Sequence, residues 1–335
     1  MNIETPILTE KDLKKIALEF VTVSQKAAVA SYPWIGRKQK NEADGAGTEA
    51  MRSQMNTIDM NAKIVIGEGE MDEAPMLYIG EELGTGEGPE VDIAVDPIEG
   101  TNIVAKGYSN AITVLAIADK GTLLHAPDMY MEKIAVGSVA AGKININDPI
   151  ETTIDIVAQA TKKRVQDLTV MVLERERHQE LIERIRQKGA RVKLFSDNDI
   201  SAAIATAFPK TGVDLFVGSG GAPEGVIAAA GLKCLGGELQ GRLLPENEAE
   251  FERCKRMGIE DPTRVLTLDD LVAGDDAIFA ATGVTSGDIL EEVRFLGDHL
   301  VETHSIVMRA KTKTLRFISS VHHLDHKPYV NKDNI

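Results

Sequence analysis

Between residues 150 and 217 the chain alternates short helical segments with short apolar runs. Segments of helical period at residues 154–161, 179–187 and 200–207 alternate with apolar runs at 168–173, 192–195 and 213–217. That rhythm belongs to a parallel or mixed β-sheet covered by helices, an α/β fold, and excludes helix bundles and all-β sandwiches. Upstream the pattern is less regular. Thr9 opens a helix, with Asp12 as a capping-box-like partner, and Leu13, Ile16, Ala17, Phe20, Val21 and Val23 follow a helical period. A polar loop over residues 36–47 leads to a second helix at 48–58. Apolar strands follow at 64–66, 91–95, 111–118 and 133–136. Near the end, strands at 278–282, 306–310 and 315–319 include an antiparallel pair, because almost nothing separates the last two.

A length of 335 residues suits about two domains. The change of pattern near residues 145–165 divides the chain into an α+β unit over 1–160 and an α/β unit over 161–335. Aromatic residues are only 4%, so the core must be aliphatic. The formal net charge of −15 excludes a nucleic-acid partner bound through a general basic surface. It leaves room for anionic ligands, since a bound cation reverses the local field. No apolar run of ~18 residues marks a membrane span, and the polar N-terminal stretch has no signal-peptide character. Cys234 and Cys254 read as reduced thiols rather than a disulfide framework. These features together describe a soluble, cytoplasmic chain.

The most informative feature is where the acids fall. Residues 64–66 run into Gly67-Glu68-Gly69-Glu70, with Asp72 and Glu73 just beyond. Residues 91–95 run into Asp96-Pro97-Ile98-Glu99-Gly100-Thr101. Residues 213–217 run into Gly218-Ser219-Gly220-Gly221-Ala222-Pro223-Glu224-Gly225, and a fourth acid, Asp44, sits in the polar loop. In open α/β sheets, ligands bind beyond the carboxyl ends of strands. Carboxylates gathered there repel unless a cation neutralises them, so the pattern points to hard divalent ions held by oxygen. A pair of such ions suits phosphoryl displacement. Other motifs carry less. His322-His323-Leu324-Asp325-His326 lacks zinc-site spacing. The run Gly218-Ser219-Gly220-Gly221 lacks the spacing of a P-loop or a dinucleotide fingerprint.

Asp96-Pro97-Ile98-Glu99-Gly100-Thr101, preceded by Gly67-Glu68-Gly69-Glu70, resembles the metal-binding signature of the lithium-sensitive sugar and inositol phosphatase superfamily. Residues 67–81, Ala126-Pro127-Asp128-Met129-Tyr130-Met131-Glu132-Lys133, Gly220-Gly221-Ala222-Pro223-Glu224-Gly225 and Cys254-Lys255-Arg256-Met257-Gly258-Ile259 are similar to class II fructose-1,6-bisphosphatases of the GlpX type. The resemblance extends from about residue 18 to residue 326. It implies a layered α/β/α/β/α sandwich and a homodimer or homotetramer. Asp44 and Glu68 match ligands of one metal; Asp96, Glu99 and Glu224 match ligands of a second, Mn²⁺ or Mg²⁺ in either case. Thr101, with Asp96 and Glu68, matches the catalytic groups, Thr101 either activating the attacking group or aligning water. Glu99, Gly100, Thr101, Tyr130, Gly221, the segment Arg175-Glu176-Arg177 and the turn Asp197-Asn198-Asp199 match substrate contacts. In the family the first of these segments is often Lys-Pro-Arg, and the middle residue of the turn is commonly Gly.

The activity so implied is hydrolysis of the 1-phosphate of fructose 1,6-bisphosphate, a step of gluconeogenesis. The same chemistry on sedoheptulose 1,7-bisphosphate or an inositol phosphate stands as one alternative, and a non-catalytic sugar-phosphate sensor as another. Retention of all five carboxylates and Thr101 argues against the sensor, which needs affinity but no activated water.

Overall fold

The computed structural model describes residues 13–69 and 76–326. The expected helix start at Thr9 and Asp12, and the acids Asp72 and Glu73, lie outside the described residues. The chain first lays down helices α1 (Glu19–Ser31) and α2 (Lys40–Met55), strands β1 (Asn61–Ile66), β2 (Glu82–Leu83) and β3 (Glu90–Glu99), the short helix α3 (Thr101–Lys106) and strand β4 (Ile112–Asp119). It then builds β5 (Tyr130–Val136), α4 (Ile150–Thr161), β6 (Thr169–Leu173), α5 (Gln179–Lys188), β7 (Arg191–Phe195), α6 (Asp199–Ala205), β8 (Leu215–Gly221), α7 (Ala222–Leu235) and β9 (Glu238–Leu243). After α8 (Glu248–Arg256) and α9 (Leu268–Leu271) it ends with β10 (Ala277–Gly283), β11 (Arg294–Gly297), β12 (Leu300–Arg309) and β13 (Thr314–His323).

These strands form two mixed sheets. One runs β11-β12-β10-β4-β3-β1-β2, with β13 beside β12; the other runs β7-β6-β8-β5-β9. The expected antiparallel final pair is β12 with β13, in register from Leu300 opposite His323 to Arg309 opposite Thr314. Strand β5 belongs to the second sheet and β10 to β13 to the first, so residue 160 does not separate the two sheets.

Alternation along each strand divides the core into layers. Leu115 and Ile117 of β4 and Ile278 of β10 pack with α1 and α2, while Val114 and Ala116 of β4 and Phe279 of β10 face α6 and α7. On the second sheet, Met131 and Ala135 of β5 face those same two helices, while Ile134 and Val136 pack under α4 and α5. The order is therefore helices, sheet, helices, sheet, helices, the α/β/α/β/α sandwich expected. Strands with both faces buried read as near-continuous apolar runs, which is why they were legible in the sequence. Helix α7, in the middle layer, is buried nearly all round and is built of Ala and Gly. A Cβ on its Gly231 would come within 2.9 Å of Ile204 and 3.2 Å of Phe279.

Several boundaries differ from expectation, among them β8, which continues past residue 217 to Gly221, and three of them bear on the site or the middle layer. The polar loop at 36–47 is largely helix, because α2 begins at Lys40, and Asp44 lies on that helix. Its glycines disguise it. A Cβ on Gly47 would meet Ser31 Oγ at 2.9 Å and Ile98 at 3.3 Å, so this glycine serves close packing rather than a turn. Strand β3 does not stop at residue 95 but continues through Pro97 to Glu99. Helix α7 starts at Ala222 rather than residue 226, with Pro223 in its first turn, a favoured place for proline. Strands β2, β9 and β11 and helices α3, α8 and α9 were not read from the sequence.

The first sheet also holds a buried ion pair. Arg309, at the end of β12, donates from Nε to Asp276 at 3.0 Å, with a second bond from Nη2. Arg309→Met should lower the unfolding free energy by about 3–5 kcal/mol, because it leaves a carboxylate buried without its counter-charge. Combining it with Asp276→Leu should cost less than the single change. Urea denaturation of the three variants checks both statements.

Candidate active site

The site begins with a defect in β3. Pro97 has no N–H to give the ladder, and the pairing of β3 with β4 shifts between Asp96 and Glu99. In a regular strand, residues three apart point to opposite faces. The bulge cancels that, and the Asp96 and Glu99 carboxyls come within hydrogen-bonding reach of each other. Asp96 Oδ1 also accepts the Ile98 N–H at 2.9 Å, bracing the bulge. Gly100 follows at φ +94°, a left-handed turn that lets α3 start at Thr101.

Glu68 is positioned by a close backbone crossing. A Cβ on Gly67 would sit 2.0 Å from the Leu77 carbonyl oxygen, and Glu68 N–H donates to that carbonyl at 3.0 Å. Buried Glu81 accepts from the Leu77 N–H and from Arg52 Nε, each at 2.5 Å, tying this crossing to α2. Asp44, on the same helix, lies within hydrogen-bonding reach of Glu68.

The second sheet supplies the opposite wall. Asn198 has φ +78° and caps α6, its Oδ1 accepting from Ser201 N–H at 2.7 Å, while its Nδ2 donates to the Asn110 carbonyl. Asn is one of the few side chains that tolerate the left-handed region, which explains how it stands where glycine is common. With both ends of its amide engaged, Asn198 shapes the turn and leaves Asp197 and Asp199 to face the cluster. Buried Lys133 of β5 donates to Asp199 Oδ2 at 2.6 Å and to the Gly221 carbonyl at 2.8 Å. A Cβ on Gly220 would lie 1.7 Å from Asp199 Oδ2, and one on Gly221 would lie 1.9 Å from Glu224 Oε2. The two glycines thus form a cradle for two carboxylates.

All five expected metal ligands meet here, joined by Asp197 and Asp199. Burial is the leading cause of the displaced acidity of the five expected ligands. It pushes Glu68 up to about 8, helped by the charges of Asp44 and Asp96. It lifts Asp96 to about 6 and Glu224 to about 7, and holds Glu99 well above the usual range beside Asp96. Asp44 is raised as well. Glu224 Oε2 is buried with no hydrogen-bond partner. Among the described residues no three acidic, histidine or cysteine side chains already converge on one metal position. Two pairs of acids instead lie within hydrogen-bonding reach, Asp44 with Glu68 and Asp96 with Glu99. Such a donor set, all oxygen and short of positive charge, fits a hard divalent cation.

The other expected contacts line the rim. Tyr130 lies directly opposite Gly221 in the ladder between β5 and β8. Arg177 stacks over its ring, the guanidinium carbon 4.6 Å from the centroid. Exposed Glu176 begins a short 3₁₀ turn, a first-turn place that suits an acid as well as a proline. Arg175 is not drawn into the wall; its Nη1 donates to the carbonyl of its neighbour Glu174. The sequence reading missed Lys133, Gly220, His178 and Ser219. Lys133 carried a signal, since alternation puts it on the buried face of β5 with Met131 and Ala135, an unusual place for a lone ammonium.

Sequence comparison gives the family. Residues 14–322 match the family model described as bacterial fructose-1,6-bisphosphatase, glpX-encoded. The chain is 47% identical over 327 residues to "Fructose-1,6-bisphosphatase 1 class 2" of Escherichia coli (strain K12), covering 94% of this chain and 97% of that one. It is 47% identical over 325 residues to a "Fructose-1,6-bisphosphatase class 2" of Haemophilus influenzae, covering 93% and 97%. It is 45% identical over 335 residues to a "D-fructose 1,6-bisphosphatase class 2/sedoheptulose 1,7-bisphosphatase" of Synechococcus sp. (strain JA-3-3Ab), covering 93% and 96%. A match of that reach, on a chain whose strand ends gather these carboxylates, means that it belongs to the glpX-encoded family of bacterial fructose-1,6-bisphosphatases.

Proposed function

We propose that this protein is a divalent-cation-dependent hydrolase that cleaves the 1-phosphate of fructose 1,6-bisphosphate, releasing fructose 6-phosphate and phosphate. The observation that carries the reading is the partly buried gathering of Asp44, Glu68, Asp96, Glu99 and Glu224, too rich in negative charge to stay ionised without cations. The names of its relatives support the substrate. Asp44 and Glu68 would hold one Mn²⁺ or Mg²⁺ ion, and Asp96, Glu99 and Glu224 a second. When bound, such ions neutralise charge on phosphoryl oxygens and lower the pKa of a water.

The chain's own groups do the rest. Gly100 and Thr101 donate to the scissile phosphate where α3 begins. Thr101 aligns the attacking water, and the Asp96 or Glu68 carboxylate takes up its proton. Glu99, Tyr130, Asp197, Asp199 and Gly221 orient the sugar, with Asn198 shaping the turn between the two aspartates. Arg177, with Arg175 and Glu176 next to it, meets the phosphate at the far end. Positioning and electrostatics supply most of the acceleration in such a displacement. The family resemblance further supports a cytoplasmic homodimer or homotetramer.

Three experiments test the reading. Phosphate release by chelator-stripped protein, with Mn²⁺ or Mg²⁺ restored, should strongly favour fructose 1,6-bisphosphate over sedoheptulose 1,7-bisphosphate and inositol 1-phosphate. Preference for either competitor overturns the substrate, and tight calorimetric binding without release makes the protein a sensor. Glu68→Gln and Asp96→Asn should each lower kcat/KM by more than ~100-fold. Each should leave the metal-free melting temperature unchanged or higher, because the amide stands in for the protonated acid and cannot take up a repelling charge. Near-full activity of either variant at low metal would refute the site.

The third experiment follows from acidity. Glu68, Asp96 and Glu224 hold protons in the folded, metal-free chain up to about 8, 6 and 7, well above the values of an unfolded chain. The folded state is favoured while they stay protonated, and that advantage is lost as pH rises through their folded values. Metal-free protein should therefore lose thermal stability progressively from about pH 4, where the unfolded carboxyls ionise, up to about pH 8. The rise in Tm on adding Mg²⁺ or Mn²⁺ should be larger at pH 8 than at pH 5.5, as calorimetry would record.

A further inference from the structure

Arg177 is held from behind by a chain of contacts that no part of the metal cluster explains. Its Nε–H donates to Ser219 Oγ at 2.9 Å and its Nη2–H to the Ser219 carbonyl at 2.8 Å. Two bonds to one residue fix an edge of the guanidinium, and the Tyr130 ring fixes its plane. Of the five N–H donors of an arginine, three remain, on the end that faces away from Ser219.

Ser219 is itself held by His178. The His178 ring is buried, with Nδ1 2.8 Å from the Leu173 carbonyl oxygen, so Nδ1 must carry the proton. Nε2 is then the acceptor. It receives the Ser219 N–H at 2.9 Å and lies 3.0 Å from Ser219 Oγ. The ring lies against Gly218, whose φ is +148°; a Cβ there would stand 3.2 Å from the imidazole. His178 thus joins the end of β6 to β8, and through Ser219 it fixes Arg177 across 42 residues of sequence. Nothing comparable holds Arg175.

We propose that His178 and Ser219 are positioning residues that pre-set Arg177 for the phosphate remote from the scissile bond, and so determine selectivity for a bisphosphate over a monophosphate. The inference rests on the fructose bisphosphatase reading above. Its physical basis is that an arginine held in its binding geometry loses little further side-chain freedom when the anion arrives. The effect belongs to KM for substrates that carry the remote phosphate.

The test compares fructose 1,6-bisphosphate with fructose 1-phosphate, which lacks that group, on the metal-loaded enzyme. Arg177→Met should collapse the ratio of kcat/KM between the two by about 100-fold. Ser219→Ala, which keeps the carbonyl but removes the hydroxyl, should lower that ratio roughly ten-fold through KM for the bisphosphate. His178→Phe should do the same or more. His178→Gln should recover most of the loss, since its amide can donate to Leu173 and accept from Ser219. If His178→Phe fails to fold, Ser219→Ala and His178→Gln still decide the matter. The proposal is overturned if Ser219→Ala slows both substrates alike, or leaves the ratio unchanged while Arg177→Met collapses it. The proposal is equally overturned if Arg177→Met leaves the ratio unchanged, whereas a wild-type enzyme that does not prefer the bisphosphate would place the fault with the substrate reading.

Discussion

Repulsion between acids that the fold forces together is the constraint around which the rest of the molecule is arranged. Seven carboxyl groups, from Asp44 to Glu224, occupy the space between the strand ends of two sheets. Burial strips water from five of them, Asp44, Glu68, Asp96, Glu99 and Glu224, so these keep protons or take cations. One fixed ammonium, Lys133, is built into the wall. It binds Asp199 and the Gly221 carbonyl, and its charge eases Glu224 toward ionisation. The cluster is thus partly neutralised on the side of the second sheet, leaving the side of Asp44, Glu68 and Asp96 the more in need of a counter-charge.

Holding that arrangement requires rigid supports on both sides, and the supports are of a different chemistry. The Gly220 and Gly221 backbone leaves room for two carboxylates where any side chain would intrude. Asn198 bridges to Asn110, which brings the turn of the second sheet against the segment following α3. Lys193 pairs with Asp288, which also takes the Asn110 side chain on its own N–H. These neutral amides and one surface ion pair lock the two sheets together just outside the charged region, so the acids cannot relieve their repulsion by drifting apart.

Much of this was legible in the sequence, for identifiable reasons. The layered fold announced itself because β4, β6 and β10 are buried on both faces and therefore read as unbroken apolar runs. The acids at the strand ends stood out against those runs. What the sequence hid was geometry that breaks local rules. The bulge at Pro97 turns an apparent strand end into a continuing strand, and the glycines of α2 make a helix look like a loop. Ser219 looked like one more small residue in a glycine-rich stretch, and its hold on Arg177 exists only because β8 runs beside the turn that carries His178. Contacts between residues some forty positions apart have no local signature.

The order of strands in the first sheet bears on how the chain is made. Strand β4 ends at Asp119, and its neighbour β10 begins only at Ala277, so about 160 residues of the second sheet and middle helices emerge between them. At ~5–20 residues per second, β4 waits roughly 8–30 seconds on the ribosome with one edge unpaired. That strand is Ile112 to Asp119, almost wholly apolar, and an unpaired apolar edge is a template for pairing with the wrong chain. The final strands therefore seal a nascent sheet that has stood open through nearly half of synthesis. A truncated product lacking them would be expected to aggregate, not to persist as a smaller soluble domain.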